Sequence, residues 1–221
     1  LRHHVHPRLR ELLDRARALG TATLHEAGGR IGALPPHIKP VAPGMRFAAP
    51  AYPVLSPFGD NLWIHHAIYA APRGAALVVD CGSGGEAFGH WGEVINIAAI
   101  ERGLAALVIS GVVRDVARLR AMNLPAFAGE VSIRGTGKDV AGNGALGALI
   151  TLGDVLIRTG DIIVGDDDGV VCIPHERAGE IIARGEARER EEEQIFSRLR
   201  AGETTLDIYR LPTPRNLESK S

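Results

Sequence analysis

Residues 75–115 read AALVVDCGSGGEAFGHWGEVINIAAIERGLAALVISGVVRD, and this stretch decides the fold class. It begins with a continuous apolar run over 75–79, which is typical of a short strand that is buried on both faces. A glycine-rich loop follows, and then come a helical pattern over 93–102, a second apolar run over 105–109 and a helix start near Asp115. Strands that alternate with helices in this way predict an α/β fold.

The segments before this stretch contain three predicted helices and one predicted strand, and the last of these helices is capped by Asp60 and spans 60–69. Apolar residues recur with a 3.6-residue period over 7–19, which predicts an amphipathic helix. Thr23 and Glu26 have the spacing of a capping box, so we expect a second, shorter helix there. Because prolines and glycines interrupt the next segment, residues 45–49 are expected to form only a short edge strand that stops before Pro50.

The segments after this stretch contain short apolar runs separated by glycines, which predict strands and hairpins. Asp168-Gly169 lies between the apolar runs 162–164 and 170–173 and is typical of a two-residue hairpin turn. A charged helical pattern over 175–200 predicts a long C-terminal helix.

Length and composition predict one domain that contacts neither nucleic acid nor membrane. The chain has 221 residues, of which 45% are hydrophobic, so it can bury a core of its own. We expect a single domain over 1–221, with the helices at 7–19 and 175–200 as extensions. The 25 basic and 26 acidic residues are balanced, which is not the charge pattern of a nucleic-acid-binding protein. No apolar run approaches the roughly 18 residues that a membrane span needs.

The two cysteines, Cys81 and Cys172, are too few for a disulfide framework and are expected to be reduced and buried. The first residues also lack the apolar segment of a signal peptide. Together these features favour a cytoplasmic location.

Two loops at the ends of the predicted strands are candidates for a functional site. Residues 80–87 leave the first strand, and residues 110–115 leave the second. Glycine turns at such strand ends commonly build the site of an α/β protein, and amides at a helix start bind anions. The adjacent Arg114 and Asp115 have an alternative interpretation, because such a pair is often only a helix cap with a solvated ion pair.

The first loop also resembles motifs that bind nucleotides or methyl donors. Gly82, Gly84 and Ala87 fit the loose pattern G-x-G-x-x-G/A, and residues 80–84 are similar to the glycine motif of S-adenosylmethionine-dependent methyltransferases. Dinucleotide-binding folds place an acidic residue at the end of the next strand, whereas this strand ends at Ser110. A nucleotide or methyl-donor site is therefore the weaker interpretation.

The histidines His65, His66 and His90 could suggest a transition-metal site. Adjacent histidines on a helix point in different directions, however, and no spacing matches a zinc site. Surface or core roles are therefore favoured, although His90 is near enough to the loop to contact the distal part of a substrate.

A longer-range pattern connects the second loop to Glu93. Gly92-Glu93, twenty intervening residues and Arg114-Asp115 resemble the acidic-X20-Arg-Asp signature of the class II pyruvate aldolases of the HMG/CHA type. These 4-hydroxy-4-methyl-2-oxoglutarate aldolases share a fold with the RraA regulators of ribonuclease E. Supporting matches lie at 73–80, 91–93, 109–115, 124–128, 160–164 and 166–171.

The resemblance implies both a fold and an assembly. The fold is a single α/β domain of the swivelling β/β/α type (RraA-like), built of layered sheets and helices. The assembly is a homotrimer or a hexamer made of two trimers, with the site between subunits.

The resemblance also implies that a divalent metal is held by Asp115 and otherwise by waters. Hard carboxylate oxygens with several waters suit Mg2+ or Mn2+. Glu93 takes the place of an acid that orients a metal-bound water. The more usual residue there is Asp, so the extra methylene of Glu93 alters how this carboxylate reaches the water.

Binding of a pyruvyl group is implied for Arg114 and for the helix that begins after Gly92. Arg114 lies against the keto oxygen, where its charge matters most as that oxygen becomes an enolate. The backbone amides of Val94 and Ile95, with Asn96 as a further candidate, receive the carboxylate.

A helper glutamate from the C-terminal helix of an adjacent subunit completes the implied site. Counting back from Gly202-Glu203 favours Glu193, with Glu192 as the second candidate. The alternative interpretation is a solvated helix, because i,i+4 pairs such as Glu186 with Arg190 are frequent along this segment.

The sequence and its resemblance together predict a divalent-metal-dependent lyase that cleaves 4-hydroxy-2-oxo acids to pyruvate through an enolate. Oxaloacetate decarboxylation is expected as a second activity, because it passes through the same enolate. The alternative is a non-catalytic RraA-like regulator that binds ribonuclease E or another protein. A regulator needs none of the three charged residues, so the joint presence of Glu93, Arg114 and Asp115 favours the enzyme.

Overall fold

The helices and strands follow the predicted order through most of the chain. A computed structural model describes residues 7–83 and 87–215. The helices are α1 (Pro7–Ala18), α2 (Thr21–Ala27), α3 (Leu62–Ala70), α4 (Glu93–Arg102), α5 (Val116–Arg120), α6 (Ala178–Arg200, after a 3-10 turn over His175–Arg177) and α7 (Thr205–Tyr209). The strands are β1 (Lys39–Pro40), β2 (Phe47–Leu55), β3 (Ala76–Asp80), β4 (Gly89–Trp91), β5 (Ala106–Ile109), β6 (Val112–Val113), β7 (Ala126–Ala128), β8 (Ala145–Leu146), β9 (Ile150–Leu152), β10 (Val155–Ile157), β11 (Ile162–Asp166) and β12 (Gly169–Ile173).

An eight-stranded mixed sheet forms the centre of the molecule. Its strand order is β1-β7-β5-β3-β2-β11-β12, and β8 pairs with the end of β2. Strands β2, β3, β5 and β7 are parallel, whereas β11 and β12 form an antiparallel hairpin that is added to β2. The two edge strands of this sheet, β1 and β12, approach each other. A hydrogen bond shows this, since the Lys39 ammonium on β1 donates to the Asp168 carbonyl beside β12. The sheet is therefore curled and nearly closed.

Both faces of this sheet are buried, which explains the continuous apolar runs in its strands. In β3, Ala76 and Val78 face the interior of the curled sheet, whereas Leu77 and Val79 pack in the cluster that includes α3 and α4. Helices α1, α2 and α6 cover β11 and β12 in a third apolar cluster. The result is a single-domain α/β fold with helices layered outside a curled sheet.

Helix α2 is present, but the capping box predicted for it was wrong. The helix begins at Thr21, whose amide and hydroxyl donate to the Asp166 carboxylate at 2.9 and 2.7 Å. Asp166 ends β11 and lies 145 residues further along the chain. Thr23 and Glu26 are inside the helix, because a carboxylate that is distant in sequence satisfies the first amides.

The short edge strand predicted over 45–49 was also wrong, because residues 47–49 begin the long central strand β2, which has neighbours on both sides. Pro50 ends the stretch that pairs with β11, and Ala51 begins the stretch that pairs with β3. Pro53 pairs with Val78 inside the β3 ladder, but its carbonyl accepts from the Gly147 amide at 2.8 Å on the other side of the strand. Because Pro50 ends one ladder and the backbone of Pro53 faces away from β3, the strand tolerates two residues without an amide donor.

The predicted hairpin joins β11 to β12, but its turn is shifted by one residue. Asp166 pairs with Gly169 in the ladder, so the turn residues are Asp167 and Asp168. The Asp168 amide donates to Asp166 Oδ1 at 3.0 Å, which supports this turn.

Helix α6 confirms the predicted long C-terminal helix. It spans 23 residues, and its first half buries Ala178, Ile181 and Ile182 against α1 and α2. None of the helices within residues 7–83 and 87–215 combines the length and the apolar character that crossing a membrane requires.

Candidate active site

A pair of short parallel strands brings the two sequence motifs together. Strand β4 pairs with β6, and Trp91 lies opposite Val113. Because the strands are parallel, their carboxyl ends meet, and the chain leaves them as Gly92-Glu93 and Arg114-Asp115. The rest of helix α4 after Glu93 and the whole of strand β5 lie in the twenty residues that separate the motifs in sequence.

Asp115 holds its carboxylate against the start of helix α4. Its backbone has φ 58° and ψ 34°, a left-handed conformation that Asp adopts more readily than most residues. Its Oδ2 atom accepts a hydrogen bond of 3.0 Å from the Glu93 amide, and 43% of the side chain is exposed. Its Oδ1 atom has no hydrogen-bond partner in the described part of the chain, so this oxygen is open to a ligand.

Gly92 permits this close approach. A Cβ atom built on Gly92 would lie 2.5 Å from Asp115 Oδ2 and 3.0 Å from Arg114 Cγ. The Gly92 backbone is extended, with φ −147°, which any residue can adopt. The requirement for glycine therefore comes from space and not from backbone conformation.

The Arg114 side chain lies beside the Asp115 carboxylate. Its Nε atom is 4.0 Å from Asp115 Oδ2, and 44% of the side chain is exposed. The Arg114 amide donates to the Trp91 carbonyl at 2.8 Å, which fixes the backbone at the end of β6. Within residues 7–83 and 87–215 the guanidinium makes no hydrogen bond, so its donors are available to a ligand.

Glu93 begins helix α4 and forms a long ion pair with Arg118. Glu93 Oε1 lies 4.0 Å from Arg118 Nε, and the two side chains are 41% and 72% exposed. Such an exposed pair contributes little stability, but it restricts where the carboxylate lies. Arg118 is not among the residues predicted for the site. The available signal was its position three residues after Asp115, on the same face of α5.

The first amides of helix α4 lie next to Asp115, because the Glu93 amide donates to that carboxylate. The Val94 and Ile95 amides have no acceptor among the described residues, as is usual in the first turn of a helix. The positive partial charge at a helix start favours a bound carboxylate. The Asn96 amide differs, because it donates to the Gly92 carbonyl at 3.0 Å and is therefore engaged.

The Asn96 side chain supports the site from the protein interior. It is fully buried, its Oδ1 atom accepts the Trp91 indole N–H at 2.9 Å, and its Nδ2 atom donates to Met122 Sδ at 3.1 Å. Trp91 is 1% exposed, so it is a packing residue of the core. These bonds join β4, α4 and the segment after α5.

Glu193 does not lie in this cluster within its own chain. It is exposed on α6, where it lines a cavity of about 410 Å³ together with Arg15 and Glu186. Glu192 pairs with Arg188 at 3.0 Å. Glu186 accepts two hydrogen bonds of 2.8 Å from Arg15 on α1, rather than pairing one turn along its own helix as predicted. These hydrogen bonds lower the pKa of Glu186.

Buried polar groups lie behind the site, around His90 on β4. The Asn61 side chain donates to the His90 carbonyl at 2.9 Å and accepts from the Lys138 ammonium at 3.0 Å. The His90 ring is fully buried, and neither ring nitrogen has a partner among the described residues. Burial lowers the pKa of His90, because a charged imidazole would be poorly solvated there.

Cys81 lies close to the His90 ring, on the other side of Gly111. A Cβ atom built on Gly111 would lie 2.8 Å from Cys81 Sγ and 2.9 Å from His90 Nδ1, so a larger residue would not fit between them. Cys81 and Cys172 are free and buried, as predicted. Burial raises the pKa of each thiol to about 12.

The other sequence motifs do not add to this cluster. The dinucleotide-like pattern includes Gly84, which lies outside the described residues. His65 and His66 lie on α3, and burial lowers the pKa of His65. In the described ranges no group of three His, Cys, Asp or Glu side chains could hold a metal ion.

Together the fold and the site define an α/β protein of the swivelling β/β/α type with a charged site at the carboxyl ends of parallel strands. A family model described as RraA-like (Aldolase/RraA) matches residues 11–172. The chain belongs to this RraA-like family, which confirms the resemblance and the predicted fold.

The relatives that match this chain carry names of different kinds. A protein of Halalkalibacterium halodurans named "Putative 4-hydroxy-4-methyl-2-oxoglutarate aldolase" is 30% identical over 183 residues, which cover 83% of this chain and 86% of that protein. A structure of an uncharacterized protein from Pseudomonas syringae pv. tomato has a TM-score of 0.75 and 27% identity, and the match covers 91% of this chain and 98% of that chain. The RNA-processing inhibitor RraA from Thermus thermophilis has a TM-score of 0.62 and 26% identity, with 70% and 92% covered. The family alone therefore does not decide between an aldolase and a regulator.

Proposed function

We propose that this chain is a divalent-metal-dependent lyase that cleaves 4-hydroxy-2-oxo acids, of the 4-hydroxy-4-methyl-2-oxoglutarate type, to pyruvate through an enolate. The main support for this proposal is that Glu93, Arg114 and Asp115 lie close together beside backbone amides in the first turn of α4 that have no acceptor among the described residues. A regulator that acts through protein contacts alone has no need of this arrangement. Decarboxylation of oxaloacetate, which forms the same enolate, is proposed as a second activity.

Asp115 is suited to hold a hard divalent ion such as Mg2+ or Mn2+. Its Oδ1 atom is an open, partly exposed carboxylate oxygen. Magnesium usually keeps several waters and takes only one or two carboxylates, so a cage of three protein ligands, which the described residues lack, is not needed. When bound, such an ion supplies Lewis-acid stabilisation of negative charge on the keto oxygen.

Arg114 and the first amides of α4 are suited to bind the pyruvyl head of the substrate. The Val94 and Ile95 amides would donate to its carboxylate. The neighbouring guanidinium of Arg114 would donate to the keto oxygen, and this hydrogen bond strengthens as the oxygen gains enolate charge. Gly92 keeps the space between these groups open, since it has no side chain.

Glu93 is suited to direct the proton that leaves the substrate. In retro-aldol cleavage the C4 hydroxyl loses its proton, the C3–C4 bond breaks, and the electron pair of that bond forms the enolate of pyruvate. The Glu93 carboxylate, held near Arg118, would orient a water that accepts this proton. A proton then adds to C3 of the enolate, and the C4 fragment leaves as a carbonyl compound.

Glu193 is proposed to act in the site of a neighbouring subunit, in a homotrimer or a hexamer. Two features support this role: Glu193 is exposed on α6, and Phe196 on the same helix is 40% exposed. Chains carrying Asp115→Asn and chains carrying Glu193→Gln should each be inactive alone. Mixed subunits should recover about a quarter of the activity, because one site in four then combines intact Asp115 with intact Glu193.

This shared-site proposal has a matched control in Glu192→Gln, which should keep its activity. An active Glu193→Gln assembly, or mixed subunits without recovered activity, would contradict the role of Glu193.

The reaction is proposed to take place in the cytoplasm. The two free and buried cysteines support a reducing compartment, because disulfides are rare there.

The proposed activity is tested by measuring pyruvate release from oxaloacetate and from 4-hydroxy-2-oxo acids that differ beyond C4. Turnover should disappear on chelation and return when Mg2+ or Mn2+ is added. A folded, metal-supplemented sample that releases no pyruvate from any of these acids would contradict the proposal and favour the regulator, whose protein partner would then be sought directly.

A further inference from the structure

A cavity of about 350 Å³ lies at the opposite end of the sheet from the candidate active site. Its floor is formed where the parallel strands begin, at Ala48 of β2 and at Ala105 and Pro125, which directly precede β5 and β7. Helix α1 forms the facing wall. The candidate active site follows the carboxyl ends of the same strands, so the length of the sheet separates the two places.

Two arginines of α1 bring positive charge to this cavity. Arg10 and Arg17 are seven residues apart and lie on one face of the helix. Arg17 pairs with Asp14 at 3.7 Å, but both side chains are more than half exposed, and such a pair is weak. Arg10 has no ion-pair or hydrogen-bond partner among the residues that the structure describes. These two guanidinium groups are therefore available to an anion.

Arg46 supplies a third guanidinium from the other side of the cavity. Its Nη2 atom donates to the Leu19 carbonyl and lies 4.0 Å from Asp166 Oδ2, so the side chain is held in place. A guanidinium has five N–H donors, which leaves donors free for a ligand.

Apart from the Asp14 carboxylate, which pairs with Arg17, the remaining wall is mainly apolar. It includes Leu13, Phe47 and Pro125. Phe47 is 4% exposed and packs edge to face on Phe127, with 5.3 Å between the ring centroids. Cationic groups beside a fixed apolar wall complement an anion that is carried on a flat apolar body, and the volume is at the lower end of small-molecule pockets.

We propose that this cavity binds a small planar organic anion, a carboxylate or a phosphate ester on an aromatic ring, between Arg10, Arg17 and Arg46. The charged group would lie between the guanidinium groups, and the ring would lie against Phe47 and Leu13. The proposal does not depend on the lyase activity.

Benzoate and phenyl phosphate, titrated into the full chain by calorimetry at low ionic strength, test this site and distinguish carboxylate from phosphate. Saturable binding of at least one anion is expected. Benzamide, a neutral molecule of the same shape as benzoate, should not bind. The double variant Arg10→Gln/Arg17→Gln should weaken anion binding by about tenfold or more, because charge-assisted hydrogen bonds are lost. Arg200→Gln at the end of α6 is the matched control and should bind as the wild type does.

The candidate active site could itself bind these anions, so the titration is repeated with Arg114→Gln. Binding that persists in Arg114→Gln and is lost in the double variant supports the proposal. Binding that is lost in Arg114→Gln but kept in the double variant places the anion at the other end of the sheet and overturns it. Equal binding of benzamide, or no saturable binding at millimolar concentrations, overturns it as well.

Discussion

The two ends of the curled sheet carry charged groups on different kinds of support. At the carboxyl ends, the side chains of Arg114 and Asp115 are partly exposed, and polar residues are buried beneath them. At the amino ends, three arginines surround a cavity whose other walls are mainly apolar. The buried polar residues near the carboxyl ends are Ser56, Asp60, Asn61, His90 and Asn96, and none of the buried polar residues in the described chain lines the cavity at the amino ends.

This difference agrees with the two proposed roles, catalysis at the carboxyl ends and anion binding at the amino ends. Burying polar groups costs free energy unless each is paired, so proteins accept that cost mainly where a fixed geometry is needed. Stabilising charge that appears during a reaction needs such fixed geometry, whereas holding an anion needs only complementary charge and shape. We therefore expect substitutions at the carboxyl ends to affect turnover and substitutions at the amino ends to affect anion binding alone.

The largest expected effect comes from Asp115→Asn. Asn also tolerates the left-handed backbone at this position, so the substitution removes the charge without straining the chain. Metal-dependent turnover should fall below detection, because the carboxylate proposed to hold the ion is lost, and calorimetry should show weaker binding of Mg2+. Asp14→Asn at the amino-end cavity is the control and should leave turnover unchanged. Retained metal-dependent activity in Asp115→Asn would remove the metal role.

A smaller but still large effect is expected for Arg114→Ala. The guanidinium would stabilise the enolate oxygen, so its loss should lower kcat by on the order of a hundredfold with a smaller change in KM. Steady-state kinetics with oxaloacetate measure both constants. Arg17→Ala removes the same charge at the other end of the sheet and should leave both constants near the wild-type values. A change confined to KM in Arg114→Ala would limit this residue to ground-state binding.

Gly92→Ala tests whether the close packing at the carboxyl ends matters. The added methyl group would displace the Asp115 carboxylate and the Arg114 side chain, and misplacement by about 1 Å can cost up to a hundredfold, so we expect kcat/KM to fall by about tenfold or more. Gly179→Ala on α6 is the matched control, since its new methyl group meets nothing within 4 Å. That control should keep full activity and gain about 0.5–1 kcal/mol in unfolding free energy. Equal kcat/KM for Gly92→Ala and the wild type would show that the site tolerates this shift.

The elements that depend on local sequence were predicted closely. Helix α4 spans Glu93–Arg102 as expected, because its apolar period is regular and Gly103 ends it in a left-handed conformation. The apolar runs of β3 and β5 were recognised for the same reason, since a strand buried on both faces is apolar throughout. No local pattern predicts that Glu93 and Asp115 lie together. Their proximity could be predicted only because their spacing in sequence resembles the signature of a known family.

The features that depend on distant contacts could not be predicted from local patterns. Strands β4 and β6 have three and two residues, too few to show any periodicity, yet their pairing assembles the site. The cap of α2 comes from Asp166, and the pairing of β2 on both sides of Pro50 depends on two other strands. The bond from Trp91 to Asn96 and the position of Arg118 likewise follow only from packing.

The smallest expected effect is on the pH dependence of stability, and it comes from the buried residue His90. Burial lowers the pKa of His90 below the ordinary value of about 6.5, so the unfolded chain binds a proton at a higher pH than the native chain does. The contribution of neutral His90 to stability is therefore fully present above about pH 6.5 and is lost as the pH falls from there towards the lower, native pKa. Urea unfolding between pH 5 and pH 8 should show the free energy of unfolding decreasing on the acid side.

Replacing this residue should remove part of that pH dependence. His90→Leu has similar volume and removes two buried nitrogens without partners in the described chain, so the variant should be more stable than the wild type at pH 5 by about 1–3 kcal/mol, with a smaller difference at pH 8. His66→Gln, an exposed position on α3, is the control and should keep the wild-type pH profile. A different result would contradict this account: His90→Leu is less stable than the wild type at every pH, and its free energy of unfolding still decreases on the acid side. The imidazole would then have a hydrogen-bond partner in solution that the contacts among described residues do not include.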